Sequence, residues 1–321
     1  MKAIVFEEYG PPDVLQLKEV DKPAPKENEV LVKVHATTVN AQDWHLMRAD
    51  PFLVRLMAGL LKPKNKILGS DVAGQVVAVG ENVKQYQPGD EVFGICDLPR
   101  LGGFAEYVCV SEESLVLKPS KISFEEAAAV PSAGLAALQG LRDQGKIQPG
   151  QKVLINGASG GVGTFAVQIA KSFEAEVTGV CSTKNVDMVR SIGADQVIDY
   201  TQEDFTQNGQ RYDLIIDNVG NPSVYKRFYK RSLSPTGICV IIAGSYFLQL
   251  IRGPWMSMTG RNKIGTYMTI PNQKDLVSLK ELLEAGKVVP VIDRRYPLSE
   301  VPEAIRYLEE GHARGKVVIT V

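Results

Sequence analysis

The residues with the clearest potential for chemistry form a glycine-rich segment, Asn156-Gly-Ala-Ser-Gly-Gly-Val-Gly163. The apolar run 153–155 before it is typical of a strand buried on both faces. After it, apolar residues recur at helical spacing, at Val162, Phe165, Ala166 and Ile169. A strand, a tight turn and a helix N-terminus present backbone N–H groups and the positive end of a helix dipole, which together bind anions. The segment therefore predicts a phosphate-binding loop.

The spacing of the glycines resembles the dinucleotide fingerprint G-x-G-x-x-G. Its last two glycines fall on Gly160 and Gly163, and its first position falls on Ala158. For an isolated match, a purely structural loop between a strand and a helix remains the alternative interpretation. The predicted cofactor contacts of the loop are Ala158, Ser159, Gly160, Gly161, Val162 and Gly163.

Further strands follow this loop at regular intervals. Apolar or β-branched runs occupy residues 176–181, 196–200, 213–219 and 237–243, and helical patterns lie between most of them, at 184–192 and 223–233. Strands that alternate with helices of this length are typical of parallel β-α-β units. We therefore expect an α/β domain with a doubly wound parallel sheet, a Rossmann domain.

The end of the second strand of this domain indicates which dinucleotide is bound. An NAD site usually places Asp or Glu there, to accept hydrogen bonds from the ribose hydroxyls. This chain instead has Ser182, Thr183 and Lys184, which can donate to a 2′-phosphate, and Tyr200 at the tip of the third strand adds a phenol. These four residues predict NADP(H) rather than NAD(H). The alternative is that Lys184 is only a solvated lysine in a first helical turn.

Composition limits the class of protein. The chain has 321 residues, enough for two domains, and 44% apolar and 23% charged residues, as in soluble globular proteins. A net charge of −1 gives no reason to expect a nucleic acid or an anionic membrane as partner. No apolar run has the length of a membrane span, and the strand pattern begins at the first residues without a signal peptide. Four widely spaced cysteines without a C-x-x-C pair indicate reduced thiols, so we expect a cytoplasmic protein.

The two ends of the chain have a different pattern from the middle. Short strands with Gly and Pro turns occupy residues 1 to about 120 and predict a partly open antiparallel barrel, with a helical segment at 41–61 that lies over a cleft. After the parallel strand 263–268, helices at 274–285 and 299–311 and strands at 288–292 and 316–321 are expected to fold back onto that barrel. The predicted domains are therefore 1–122 with 264–321, and 123–263.

Several motifs in order resemble the medium-chain dehydrogenase/reductase superfamily, in its zinc-free quinone oxidoreductase branch. They are Met1-Lys-Ala-Ile-Val5, Val39-Asn-Ala-Gln-Asp43, Gly69-Ser-Asp-Val-Ala-Gly74, Pro88-Gly-Asp-Glu-Val92, Gly103-Phe-Ala-Glu-Tyr107, Ala127-Ala-Ala-Val-Pro131, Asn156–Gly163, Gly193-Ala-Asp195 and Gly311-His-Ala-Arg-Gly-Lys-Val317. The resemblance covers essentially the whole chain. It implies a GroES-like catalytic domain, a nicotinamide that reaches the interdomain cleft, and commonly a homodimer.

The chain departs from the zinc-dependent members of that superfamily. They carry Cys where this chain has Asn40, and Gly-His-Glu where it has Gly69-Ser70-Asp71. A zinc site needs three or four ligands, usually thiolate or imidazole, and the only histidines are His35, His45 and His312. We therefore expect no metal.

The resemblance also assigns roles to residues outside the glycine loop. It places Asn40 near the nicotinamide ribose and the reacting carbonyl, where its amide could donate to a developing oxyanion; a turn-capping Asn is the alternative. It gives a substrate pocket of Asp43, Trp44 and Phe247, although Asp43 could equally cap the first helical turn, and core packing is the alternative for Phe247. Further predicted cofactor contacts are Asn218, Val219, Gly220, Ile242, Ala243, Gly244 and Lys316, and Lys316 could instead be merely exposed.

Three functions remain open at this point. The first is an NADPH-dependent reductase whose small-molecule substrate is a quinone or the activated C=C bond of an α,β-unsaturated carbonyl. The second is alcohol/aldehyde oxidoreduction, against which the missing zinc ligands argue. The third is an NADPH-binding protein with little turnover.

Overall fold

The computed structural model describes residues 1–96, 100–220, 229–242 and 263–321. The described chain forms two compact units. The first consists of Met1–Leu135, Pro271–Gly286 and Pro290–Val321, and the second of Ala136–Ile270 and Lys287–Val289. No helix in the described ranges is long and apolar enough to cross a membrane.

The strands are numbered in chain order. They are β1 (Lys2–Val5), β2 (Gln16–Glu19), β3 (Glu29–Val39), β4 (Asp71–Val79), β5 (Glu91–Ile95), β6 (Tyr107–Ser111), β7 (Leu115–Leu117), β8 (Lys152–Asn156), β9 (Glu176–Cys181), β10 (Gln196–Asp199), β11 (Tyr212–Asp217), β12 (Leu233–Ile241), β13 (Lys263–Thr266), β14 (Ile292–Pro297) and β15 (Lys316–Thr320).

The α-helices are numbered in the same way. They are α1 (Ala41–Arg48), α2 (Val54–Ala58), α3 (Phe124–Ala128), α4 (Pro131–Gln139), α5 (Gly161–Ser172), α6 (Val186–Ser191), α7 (Tyr229–Ser232), α8 (Gln273–Glu284) and α9 (Val301–Glu309).

The first unit is built on a seven-stranded sheet in the order β14-β15-β3-β4-β5-β7, with β6 also paired to β3. Every pair in it is antiparallel except β14–β15. Strand β3 is eleven residues long and pairs with β4, β6 and β15, because its alternating β-branched residues, such as Val30, Val32 and Val34, bury one face. This sheet therefore joins the N-terminal strands to the C-terminal strand of the chain.

The second unit contains a six-stranded sheet in the order β10-β9-β8-β11-β12-β13, and all its pairs are parallel. Numbered from β8, this is the 3-2-1-4-5-6 order of a dinucleotide-binding fold. Strands β8 and β11 are neighbours although β9 and β10 lie between them in sequence, so the strand order reverses there. The doubly wound sheet predicted from the sequence is confirmed.

The structure corrects several predicted elements. The helical segment 41–61 is two short helices, because Ala49 has a left-handed conformation (φ 51°) and Pro51 follows it. Pro131 is the first residue of α4, as its missing N–H allows at a first helical position. The strand predicted at 288–292 lies instead at Ile292–Pro297, where the backbone pairs with β15.

The two compact units also divide the chain at other points than the predicted boundaries. Residues 123–135 lie with the first unit, because α3 packs against β3, β4, β5 and β15. Residues 264–270 lie with the second, since β13 continues its parallel sheet. Residues 287–289 also belong there, where the Gln168 side chain hydrogen-bonds both backbone groups of Val289.

Candidate active site and cofactor site

Three adjacent strands of the first unit bring the predicted catalytic residue next to two buried charges. Asn40 follows β3, Asp71 begins β4, and Lys316 begins β15. The register pairs Val39 with Val317, which sets Lys316 opposite Asn40. Antiparallel pairing of β3 with β4 brings the start of β4 to the same edge. Strand pairing therefore assembles a polar cluster from residues far apart in sequence.

The Asn40 carboxamide lies between the two charges. Its Nδ2 donates to Asp71 Oδ2 at 3.0 Å and to Ser70 Oγ at 3.2 Å. Its Oδ1 accepts from Lys316 Nζ at 2.5 Å. An ammonium can only donate and a carboxylate can only accept, so these partners determine which end of the amide is oxygen. The amide hydrogens predicted to face the substrate therefore have partners inside the protein.

Asp71 is fully buried, and each of its carboxylate oxygens accepts several hydrogen bonds. Its Oδ1 accepts from Ser132 N at 2.8 Å and from Ser132 Oγ at 2.6 Å. Its Oδ2 accepts from Thr38 and Asn40, and lies 3.3 Å from Lys316 Nζ. Because Ser132 lies in the first turn of α4, the carboxylate is also stabilised by the positive end of that helix. Sequence reasoning gave Asp71 no role beyond its place in the Gly69-Ser70-Asp71 motif.

Asp43, predicted in the substrate pocket, is fully buried in the structure. Its carboxylate accepts hydrogen bonds from Asn40 N at 2.7 Å and from Gly69 N at 3.1 Å. The contact with Asn40 N is that of a residue that caps the first helical turn, which is the alternative to a pocket role for Asp43. Burial raises the pKa of Asp43 to about 7, against the lowering effect of these two N–H groups.

Trp44, the second predicted pocket residue, is half-buried and packs against the apolar core of the first unit. Its ring stacks on His45 with centroids 3.6 Å apart. Phe247, the third pocket residue, lies outside the described residues. A pocket role for these residues stays a prediction.

Lys316 is not exposed, which corrects the alternative interpretation of this residue. Its side chain is 3% exposed and its ammonium contacts Asn40 and Asp71. The predicted contact with the cofactor stays a prediction.

The glycine-rich loop of the second unit connects β8 to α5 as expected. Gly157 has φ of +74°, and a Cβ on Gly163 would lie 2.1 Å from the Gly157 carbonyl oxygen. The close approach of helix and loop therefore requires glycine at 163. The buried Ala158 donates its N–H to Val180 O at 3.0 Å, which holds the loop against β9. Ser159, Gly160, Gly161 and Val162 are half-buried around the N-terminus of α5.

Two buried side-chain oxygens beside this loop have no hydrogen-bond partner among the described residues. They are Oδ1 of Asn218, which follows β11, and Oδ1 of Asn185, which follows β9. Both asparagines lie past the carboxyl ends of parallel strands, where a doubly wound sheet binds its ligand. The loop and these oxygens fit a bound dinucleotide. Asn218 was predicted from the resemblance. Asn185 was missed, although its Nδ2 donates to the predicted residues Ser159 and Ser182, at 3.0 Å and 3.3 Å.

The residues predicted to select the dinucleotide are close together. Ser182 is half-buried, while Thr183, Lys184 and Tyr200 are exposed at the ends of β9 and β10. Tyr200 N donates to Cys181 O at 3.0 Å, which brings the tip of β10 to that of β9. The end of β9 carries no acidic residue, but an acid of the neighbouring strand lies beside it. Asp199 of β10 accepts a 2.5 Å hydrogen bond from Thr183 Oγ1, and this hydroxyl lowers the pKa of Asp199.

The carboxyl end of β11 contains another buried acid that sequence reasoning missed. Asp217 is 0% exposed, and its carboxylate accepts hydrogen bonds from Asn156 Nδ2 at 2.9 Å and from Val219 N at 3.1 Å. Its backbone oxygen accepts from Ile242 N at 2.9 Å. It thereby holds the predicted contacts Val219 and Ile242, while Ala243 and Gly244 lie outside the described residues.

The ligand chemistry of the first unit differs from a zinc centre. Within the described ranges, no group of three or more His, Cys, Asp and Glu side chains could hold a metal ion. The four cysteines are free thiols at separate places. Asn40 and Ser70, which the resemblance aligns with zinc ligands, contact one another and offer an amide and a hydroxyl.

Two family models match this chain. The alcohol dehydrogenase GroES-like domain family matches residues 26–120, and the zinc-binding dehydrogenase family matches residues 192–319. A chloroplastic quinone oxidoreductase of Triphysaria versicolor is 34% identical over 99% of this chain and 98% of its own. The 2-methylene-furan-3-one reductase of Solanum lycopersicum is 36% identical over 99% of this chain and 79% of its own.

Solved structures show the same fold. The quinone oxidoreductase of Coxiella burnetii has a TM-score of 0.90 at 34% identity, over 100% of this chain and 99% of that chain. The Escherichia coli quinone oxidoreductase, solved in complex with NADPH, has a TM-score of 0.83 at 26% identity, with both chains fully covered.

The fold and the site thus define a nicotinamide-dependent oxidoreductase with a GroES-like and a Rossmann domain. The chain belongs to the medium-chain dehydrogenase/reductase superfamily, in its quinone oxidoreductase and enoyl reductase-like branch.

Proposed function

We propose that the chain is an NADPH-dependent reductase of quinones or of the activated C=C bond of α,β-unsaturated carbonyls, and that it works without zinc. The observation that carries this proposal is the contact of Asn40 with Ser70, 3.2 Å apart, beside the Asp71–Lys316 pair. A site of this composition can hydrogen-bond a polar substrate but offers no soft ligands to a metal. The relatives named as quinone oxidoreductase and furanone reductase support the substrate class.

The bound nicotinamide supplies the hydride, and the chain supplies binding and orientation. Backbone N–H groups around Gly160 and the dipole of α5 attract the diphosphate. The Oδ1 atoms of Asn185 and Asn218, which have no partner in the described part of the chain, would accept hydrogen bonds from the dinucleotide. With a proton from solvent, hydride transfer gives a hydroquinone from a quinone, or a saturated ketone from an enone.

Asn40 has two amide hydrogens and three acceptors within 3.3 Å, namely Thr38, Ser70 and Asp71. The three acceptors share two hydrogens, so one hydrogen can be donated to a ligand instead of Thr38 or Ser70 while the other keeps its bond to the Asp71 carboxylate. Such a donor stabilises charge that develops on the substrate oxygen.

The preference for NADPH rests on the exposed cation at the end of β9. Lys184 is exposed and would approach a 2′-phosphate, and Ser182 and Tyr200, at the ends of the paired strands β9 and β10, would donate to the same group. The structure of a relative with NADPH supports this assignment.

The test is NADPH oxidation, followed by its absorbance, against a panel of quinones, alkenals, enones and saturated aldehydes. We expect turnover with the first three classes, and tighter binding of NADPH than of NADH. Turnover of saturated aldehydes alone would favour the alcohol/aldehyde alternative. NADPH binding without any turnover would contradict the proposal.

We further propose a homodimer in the cytoplasm. Sedimentation equilibrium tests the homodimer, and a measured mass of one chain would contradict it. Cell fractionation tests the cytoplasmic location, and recovery of the protein in an organelle, as the names of the chloroplastic and mitochondrial relatives indicate for them, would contradict it.

A further inference from the structure

We propose that Lys316 and Asp71 are positioning residues for Asn40: together they hold its carboxamide in the orientation that hydride transfer requires. The proposal rests on the reductase function above and adds two residues to its machinery. It also gives Lys316 a task other than contact with the dinucleotide.

The first step of the argument is the geometry around the amide. Lys316 Nζ donates to Asn40 Oδ1 at 2.5 Å, and Asn40 Nδ2 donates to Asp71 Oδ2 at 3.0 Å. Rotating the amide by 180° would bring its NH₂ group against the ammonium and its oxygen against the carboxylate. Both contacts would then be repulsive.

The second step is burial. The side chain of Lys316 is 3% exposed and that of Asp71 is 0% exposed, so water does not screen the pair as it screens a surface ion pair. Removing one partner leaves the other as an uncompensated buried charge. The orientation of Asn40 is therefore controlled by a strong local field.

The third step is the anchoring of the pair itself. Asp71 is held by Ser132 through two hydrogen bonds, at 2.6 Å and 2.8 Å, and by Thr38. Lys316 is the first residue of β15, whose register with β3 is set by Val317 opposite Val39. Both partners are thus fixed by regular structure. Reactive geometry held by rigid elements is what catalysis by orientation needs.

The test is a double-mutant cycle on kcat with the variants Lys316→Met, Asn40→Ala and both together. Misplacing a catalytic group by about 1 Å lowers the rate by about 100-fold. We expect Lys316→Met to lower kcat by about 10- to 100-fold while the NADPH dissociation constant changes less than about twofold. In the Asn40→Ala background, Lys316→Met should have almost no further effect, because the residue that it positions is absent.

Lys171→Met is the matched control, since Lys171 forms an ion pair with Asp195 in the other unit, at 2.7 Å. It should leave kcat and NADPH binding unchanged. If Lys316→Met weakens NADPH binding and leaves kcat intact, Lys316 is a cofactor ligand and the proposal is wrong. Independent, multiplicative losses in the cycle would also overturn it.

Two further measurements test the positioning role if Lys316→Met does not fold or if the wild-type protein turns over no substrate. If Lys316→Met does not fold, Asp71→Asn replaces it in the cycle, with the same expected loss of kcat and the same contradiction from additivity. If the wild-type protein binds NADPH but turns over no substrate, the proposed function fails while the positioning can still be measured. A crystal structure of Lys316→Met should then show the Asn40 amide rotated away from its wild-type orientation, and an unchanged amide would refute the positioning role.

Discussion

Asn40 and Asp43 are three residues apart but have different tasks in the site. Asn40 directs its side chain into the polar cluster with Asp71 and Lys316. Asp43 accepts the backbone N–H groups of Asn40 and Gly69 and so fixes the turn that carries Asn40. A carboxylate that is buried against backbone N–H donors supports the fold, so its titration changes the free energy of unfolding.

Asp43 predicts a pH dependence of folding. Its ordinary pKa is about 3.9, whereas burial raises the pKa to about 7 in the folded protein. The folded state therefore binds the proton more tightly, so this stabilisation is complete below about pH 4 and is lost as the pH rises to about 7. The free energy of unfolding of wild type minus that of Asp43→Asn should fall across this range, by up to about 1.4 kcal/mol per pH unit.

Denaturant unfolding at a series of pH values measures this difference. Asp204→Asn is the control of opposite sign, because the Thr206 hydroxyl holds the pKa of Asp204 below its ordinary value. A difference for Asp43→Asn that does not vary with pH would show that Asp43 keeps an ordinary pKa in the folded protein.

In the loop between β8 and α5, the glycines at 160 and 163 differ in whether the packing of the protein requires them. Gly163 is needed for packing, since its Cβ would overlap the Gly157 carbonyl. Gly160 is the N-cap residue of α5, and a Cβ there would meet the nearest described atom only at 3.5 Å. Protein packing thus does not require glycine at 160, whereas a side chain there would enter the space in which we propose that the diphosphate binds.

The pair of variants Gly163→Ala and Gly160→Ala should therefore behave differently. Gly163→Ala should destabilise the protein by about 2–4 kcal/mol, as severe overpacking does. Gly160→Ala should change stability by less than about 1 kcal/mol but weaken NADPH binding at least tenfold. Thermal unfolding and fluorescence titration with NADPH measure the two effects. Equal NADPH affinity in Gly160→Ala and wild type would place the diphosphate elsewhere.

The tips of β9 and β10 predict two opposite changes in cofactor preference. Lys184→Ala removes a cation that attracts the 2′-phosphate, so the ratio of NADPH to NADH affinity should fall. Asp199→Asn removes a carboxylate that Thr183 holds beside the same place, so this ratio should rise. Each change is expected to be only a few-fold, because solvent screens charges at this exposed place. Parallel titrations with both dinucleotides test the pair, and a shift of both variants in one direction would contradict it.

At the scale of the whole molecule, each unit contributes a different part of the chemistry. The second unit contains the phosphate loop and the strand ends that surround it. The first unit contains the Asn40 cluster, in which the cation is a lysine ammonium held in a sheet. Under the proposed function, these groups supply hydrogen bonds and charge to the conjugated carbonyl, in place of a Lewis acid.

Metal analysis tests this view of the molecule. We expect substoichiometric zinc in the purified protein and unchanged kcat after dialysis against a chelator. The thermal unfolding temperature should be unaffected by the same treatment, because the residues that the structure describes contain no set of metal ligands that would stabilise the fold. One tightly bound zinc per chain, with activity lost on its removal, would show that the proposed zinc-free reaction is wrong.

The sequence by itself determined those features that depend on neighbouring residues. A buried strand, a glycine turn and an amphipathic helix follow one another within residues 152–172, so local patterns predicted the phosphate loop and its helix. The alternation of strands and helices likewise predicted the parallel sheet. Pro51 could have shown that the segment 41–61 is not one helix, since proline disfavours the helical conformation in the residue before it.

Only the tertiary structure showed which residues that are distant in sequence contact one another. Lys316 is 276 residues from Asn40 and contacts it because β15 pairs with β3. Asp199 reaches Thr183 because β10 pairs with β9 in register. Such contacts depend on strand order and register, which arise from burying whole faces of a sheet and leave no local pattern around either residue. For that reason the sequence indicated Asn40 and Lys316 separately, and the fold showed them as one cluster.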